Sequence, residues 1–121
     1  MPLLFNALAL AAVCATGAMH WFGIIDSLYW TYDWWDVPTH MLGGLTIGLW
    51  VGAVASRAQL PPIRTLLYMV GLTLAVGGAW EAWESIEGLS GGFADSVMDL
   101  GNDSIGAFVA WMLYAAFFRV R

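Results

Sequence analysis

Asp95–Gly106 reads D-S-V-M-D-L-G-N-D-S-I-G and sets three carboxylates four residues apart at the head of the last long apolar segment, Ala107–Phe118. On a helix, Asp95, Asp99 and Asp103 share one face, with Asn102 beside them. The segment ends at Arg119 and Arg121, so it reads as a membrane helix with acids at its head and bases at its tail. A carboxylate well inside a bilayer costs about 2.5 kcal/mol or more, so three in a row require water, protons, a counter-ion or a metal beside them.

The remainder of the chain agrees with a membrane setting. Its 121 residues are 60% hydrophobic and 11% charged, and the four basic residues are all Arg. Mean hydropathy is +0.72. Soluble domains are about 25% charged, so this composition is that of a membrane protein in one compact unit. Cys14 stands alone and forms no internal disulfide. Met1–Leu10 carries no positive side chain ahead of the apolar run, which argues against a cleaved signal peptide. The net charge of −5 argues against nucleic acid as a partner and against a polybasic grip on anionic lipid.

Four spans are expected. Leu3–Ile25 is interrupted only by Asn6, Thr16 and His20, and about 20 apolar residues cross the hydrocarbon core. The others are 38–56, 65–86 and 97–118. Between the first two spans, Tyr29, Trp30, Tyr32, Trp34 and Trp35 crowd together, an interfacial composition. Pro61 and Pro62 mark a tight turn between Arg57 and Arg64, while Gly88, Gly91 and Gly92 give the last link flexibility. The resulting expectation is an all-α, integral membrane four-helix bundle with short loops. By the positive-inside rule, Arg57, Arg64, Arg119 and Arg121 mark the cytoplasmic side, together with both termini. All nine acids then fall at or near the outer end.

Three helices bring ionisable pairs to a similar depth: Asp36 with His40, Glu81 with Glu84, and Asp99 with Asp103. Gly43, Gly44, Gly77, Gly78, Gly101 and Gly106 lie within a turn of them, and small residues let membrane helices approach closely. Acids gathered there with no Lys or Arg beside them cannot all stay ionised. Either protons are retained in a hydrogen-bonded network that holds the helices in register, or a divalent cation is bound. Carboxylates with imidazole suit Zn, Mn or Fe, and carboxylates alone suit Ca or Mg. The candidate metal ligands are Asp36, His40, Glu81, Glu84, Asp99 and Asp103. His20, alone on an apolar helix, reads as a packed histidine, and Asp26, Asp33 and Glu87 as solvated loop charges. Ser96, Ser104 and Thr39 lie near the acids but in no nucleophile motif, so any chemistry falls to activated water acting on a lipid head group. A different reading is a small accessory subunit packed by its Trp-rich faces, some of the eight Trp, against a larger respiratory or photosynthetic membrane complex. Besides membrane lipids, the expected partners are such a complex or further copies of the chain.

The order D-V-P-T-H-x-x-G-G (Asp36–Gly44), E-A-W-E (Glu81–Glu84) and D-x-x-x-D-x-x-G (Asp99–Gly106) resembles the small polytopic VanZ-like membrane proteins and the related YjdF-like group. The likeness runs from Asp36 to the C-terminus. It implies a multi-pass protein of the bacterial inner (cytoplasmic) membrane with an envelope connection, and importance for Asp36, His40, Glu81, Glu84, Asp99, Asp103 and Gly106. The basic residue that these proteins often carry ahead of the last acidic element is missing from Ser90–Ala94, S-G-G-F-A.

Overall fold

The computed structural model describes residues 1–89 and 91–119, so the expectations for Ser90 and Arg121 lie outside the described residues. The chain is all-helical, with no strand among the described residues. Four long helices are α1 (Pro2–Ile25), α3 (Asp36–Arg57), α4 (Pro62–Glu87) and α5 (Phe93–Arg119), and α2 (Leu28–Thr31) is a single short turn. That turn lies in the aromatic link, where no helix was expected. It starts from Ser27 in the left-handed region at φ 55°.

Each long helix has a local cause. Pro2 and Pro62 occupy first helical positions, where a missing N–H is harmless. α4 stops at Gly88, whose φ of 72° suits glycine. The Leu89 N–H donates to Glu84 O at 2.8 Å and the Gly88 N–H to Ser85 O, the paired bonds of a Schellman ending. This fixes the end of α4 that carries Glu81 and Glu84.

α3 is the central helix and packs on α1, α4 and α5, most extensively on α5. Its buried face is largely small residues, among them Gly44, Gly48, Gly52, Ala53 and Ala55. α4 buries Thr65, Met69, Thr73, Gly77 and Glu81, a seam at strict four-residue steps. Large side chains such as Leu3, Trp21, Trp50, Leu67 and Phe93 face outward instead. Small residues inside and bulky apolar ones outside is the pattern of helices packed in lipid rather than water.

Among the described residues, three helices, α1, α3 and α4, are long and apolar enough to cross a membrane. α5 is as long, at 27 residues, but Asp95, Asp99, Asn102 and Asp103 fill its first three turns.

The two ends of the helix assembly differ. At one end Phe5, Met69 and Tyr114 are fully buried, with Phe5 and Tyr114 edge-on at 6.0 Å. There Tyr114 Oη donates to Leu60 O at 2.6 Å and Trp111 Nε1 to Pro62 O at 2.8 Å. These bonds bring the tail of α5 to the α3–α4 turn, beside the start of α1. At the opposite end the interior is polar.

Candidate metal centre

The polar end is assembled by a close approach of α3 to α5. A Cβ built on Gly44 would collide with the Asp103 main-chain oxygen, and one on Gly106 with that of Met41. Each helix therefore offers a glycine to the other's carbonyl, and backbones touch where side chains ordinarily keep helices apart. Gly77 of α4 lies against the Asp103 carboxylate and Leu100. With α3, α4 and α5 drawn in at this level, side chains one turn further out converge.

His40 is the hub. Its Nδ1 is 3.3 Å from Asp103 Oδ1. Its Nε2 is 3.5 Å from Asp36 Oδ1, 3.9 Å from Asp99 Oδ2 and 4.0 Å from Glu81 Oε1. A carboxylate only accepts, so Nδ1 donates its proton to Asp103; Nε2 faces the other three acids, as a second donor in the protonated ring and as a free lone pair for a metal in the neutral one. One donor atom each from Asp36, His40 and Asp99 lies within 4.8 Å of the others, a spacing that one ion can satisfy. His40, Glu81, Asp99 and Asp103 are buried, whereas the Asp36 side chain is 37% exposed and opens the group to the outside.

Glu81 is the anomaly. Its side chain is only 7% exposed, and neither carboxylate oxygen has a hydrogen-bond partner. Buried carboxylates are held by donors, counter-ions or metals, because an unpaired buried charge is strongly unfavourable. His40 is the one cationic candidate, and even as imidazolium it leaves four carboxylates with three uncompensated negative charges. Asp36, His40 and Asp99 would hold a divalent ion, which would offset two of the four negative charges and stand close to the unpartnered Glu81 oxygens. Asp103 lies on the other side of the ring, at Nδ1, where it would support His40 as a ligand rather than meet the ion itself.

The six residues expected as ligands thus divide. Asp36, His40, Glu81, Asp99 and Asp103 come together. Glu84 instead accepts a hydrogen bond from Trp80 Nε1 at 2.9 Å, one turn back on the same helix. The i, i+4 spacing of Trp80 and Glu84 is in the sequence and could have given this pair. Asp95 also leaves the acidic row, its carboxylate accepting from the Gly91 N–H at 3.1 Å. Thr39 and Ser104 turn their hydroxyls back to the carbonyls of Trp35 and Leu100, so neither is poised as a nucleophile. Asp26, Asp33 and Glu87 are exposed.

His20 stands apart from the hub. Its Nδ1 is 3.0 Å from Tyr29 Oη, and Trp80 packs edge-on at 5.5 Å. Burial pushes the Tyr29 hydroxyl above its ordinary value, opposed by a hydrogen bond with Thr39, so the phenol stays neutral and keeps this contact at physiological pH. Tyr29→Phe is expected to cost about 2 kcal/mol of stability, the usual worth of its two hydrogen bonds, with metal content unchanged. Thermal unfolding beside elemental analysis checks both halves. Compared with protein-family models, curated proteins and solved structures, the chain matches none significantly.

Proposed function

We propose that this chain is a VanZ-like protein of the bacterial inner membrane that crosses it four times as a helix bundle and binds a divalent metal at its outer end. The observation that carries the reading is Glu81, a buried carboxylate with two unpartnered oxygens beside the Asp36–His40–Asp99 group. One imidazole among carboxylates favours zinc or manganese over calcium. α5 is the fourth span, its Asp99 and Asp103 buried against the neighbouring helices. Arg57 and Arg64 mark the cytoplasmic side under the positive-inside rule, which puts both termini there and the metal centre at the envelope side.

Three ligands from Asp36, His40 and Asp99 leave a position open through the exposed edge at Asp36. Open positions belong to sites where a bound water acts, and sites closed by a fourth protein ligand belong to structural ones. The envelope role therefore turns on whether Glu81 closes the site. Elemental analysis of purified protein tests the metal itself. About one equivalent is expected in the native chain and a small fraction of that in Asp99→Asn/Asp103→Asn, whereas equal, near-zero content in both rejects the reading. Acidification is expected to release the ion, because protons compete for the imidazole and the carboxylates.

The accessory-subunit reading draws on the outward Trp21 and Trp50, 63% and 60% exposed. Native gels in mild detergent separate the two: a co-migrating partner supports a subunit, and a free species supports an independent protein.

A further inference from the structure

The second polar feature of this chain is at the opposite end from the metal centre. α3 and α4 pack on each other less than either packs on α5, and between them runs an open crevice of about 650 Å³. Its walls are apolar, with Trp50 and Val54 on α3 and Leu67, Tyr68 and Leu72 on α4. Most of these side chains are more than half exposed.

Two charges lie one turn beyond the lining residues, toward the Leu60 end of the crevice. Arg57 follows Val54 by three residues and Trp50 by seven, so it shares the α3 face that forms one wall. Arg64 precedes Leu67 by three and Tyr68 by four, so it shares the α4 face that forms the other. Both side chains are exposed. Every ion pair among the described residues centres on His40, so neither guanidinium has a carboxylate partner there. The chain's acids, which give it a negative net charge, are a full helix length away.

We propose that this crevice is a binding site for one anionic phospholipid, with an acyl chain lying along the groove and the phosphate held by Arg57 and Arg64. Paired guanidiniums suit a phosphate because they donate in a planar fork. The wall from Arg64 to Ala75 is about 16 Å long at 1.5 Å per residue, enough to seat most of an acyl chain. A second copy of the chain fits less well, since a two-fold contact through this face would set four guanidiniums against one another. The positive-inside assignment puts the Leu60 end of the crevice at the leaflet where juxtamembrane Arg meets anionic lipid.

Native mass spectrometry of the protein released from nanodiscs tests this, with phosphatidylglycerol and phosphatidylcholine of matched chains in equal amounts. The native protein is expected to retain the anionic lipid at least about tenfold over the zwitterionic one. Arg57→Gln/Arg64→Gln brings the two to parity. Gly71→Leu, at a position where an added Cβ meets nothing within 4 Å, fills the groove and lowers retention of both lipids with the arginines intact. Circular dichroism of both variants checks that they are folded. Equal retention of the two lipids by the native protein overturns the proposal, as does unchanged preference in the double variant. A dimer that dissociates on Gly71→Leu does so too, because it makes a second copy the occupant.

Discussion

Glu81→Gln is expected to stabilise the metal-free protein and, in the same experiment, to remove much of the stabilisation that zinc confers on the native chain. The two signs come from one fact. Both Glu81 oxygens are buried without a hydrogen bond and the nearest basic group is His40, 4.0 Å away, so in the absence of an ion the carboxylate's charge is poorly compensated among Asp36, Asp99 and Asp103. A neutral amide of the same shape removes that charge, and relief of an unsatisfied buried group is worth about 1–3 kcal/mol. With zinc present the charge is better compensated. A ligand at a thousand times its Kd stabilises by about 4 kcal/mol, and the amide, a poorer ligand, weakens affinity by about 10–100-fold, as loss of a supporting group at a metal site does. Thermal unfolding in detergent, with chelator and then with zinc, reads both. The native and variant curves are expected to cross in order between the two conditions. If Glu81 merely shares a proton in a carboxylate network, the substitution moves both curves in one direction and zinc moves neither.

His40 and Asp103 sharpen the same test. His40→Ala removes the nitrogen that faces the other acids and is expected to abolish zinc binding. Asp103→Asn keeps the ring in place with a weaker acceptor behind it, so affinity falls in that variant without disappearing.

The helices were legible because each contains a long apolar run, and the pairs Asp36–His40 and Asp99–Asp103 because four residues is close to one helical turn. What the sequence could not carry was rotation about each helix axis. Glu81 and Glu84 are three residues apart and read as one pair, yet the first points into the interior and the second is held at the side by Trp80. Nor does spacing say which ring nitrogen of His40 meets which acid, and that decides whether Asp103 is a ligand or the support of one. Asp95 had the right spacing for the acidic row, but it sits in the first turn of α5, where the nearby Gly91 N–H claims it. The gathering of Asp36, Glu81, Asp99 and Asp103 at one end was legible from the order of the chain, since alternate links between successive helices fall at alternate ends.

Gly43 and Gly44 show how far a motif falls short of a geometry. They are adjacent, identical and both one turn below His40, but α3 meets α5 through only one of them. A Cβ on Gly43 would sit 3.6 Å from Asp103 Oδ1, an ordinary contact, whereas one on Gly44 would meet the Asp103 main-chain oxygen. A backbone atom in the middle of α5 cannot swing aside as a side-chain end can, so the helices must separate. Gly44→Ala is therefore expected to cost about 3 kcal/mol, the upper part of the range for overpacking a well-packed interior. By moving Asp103 and Asp99 away from His40 it also lowers zinc affinity at least about tenfold. Gly43→Ala is expected to change stability by only about 0.5 kcal/mol in either direction, as substitutions without steric consequence do, and to leave zinc affinity alone. Paired unfolding and zinc titrations of the two variants decide the matter. Equal losses in both would mean that α3 and α5 are not in backbone contact at this level, and the convergence of the acids on His40 would lose its structural basis.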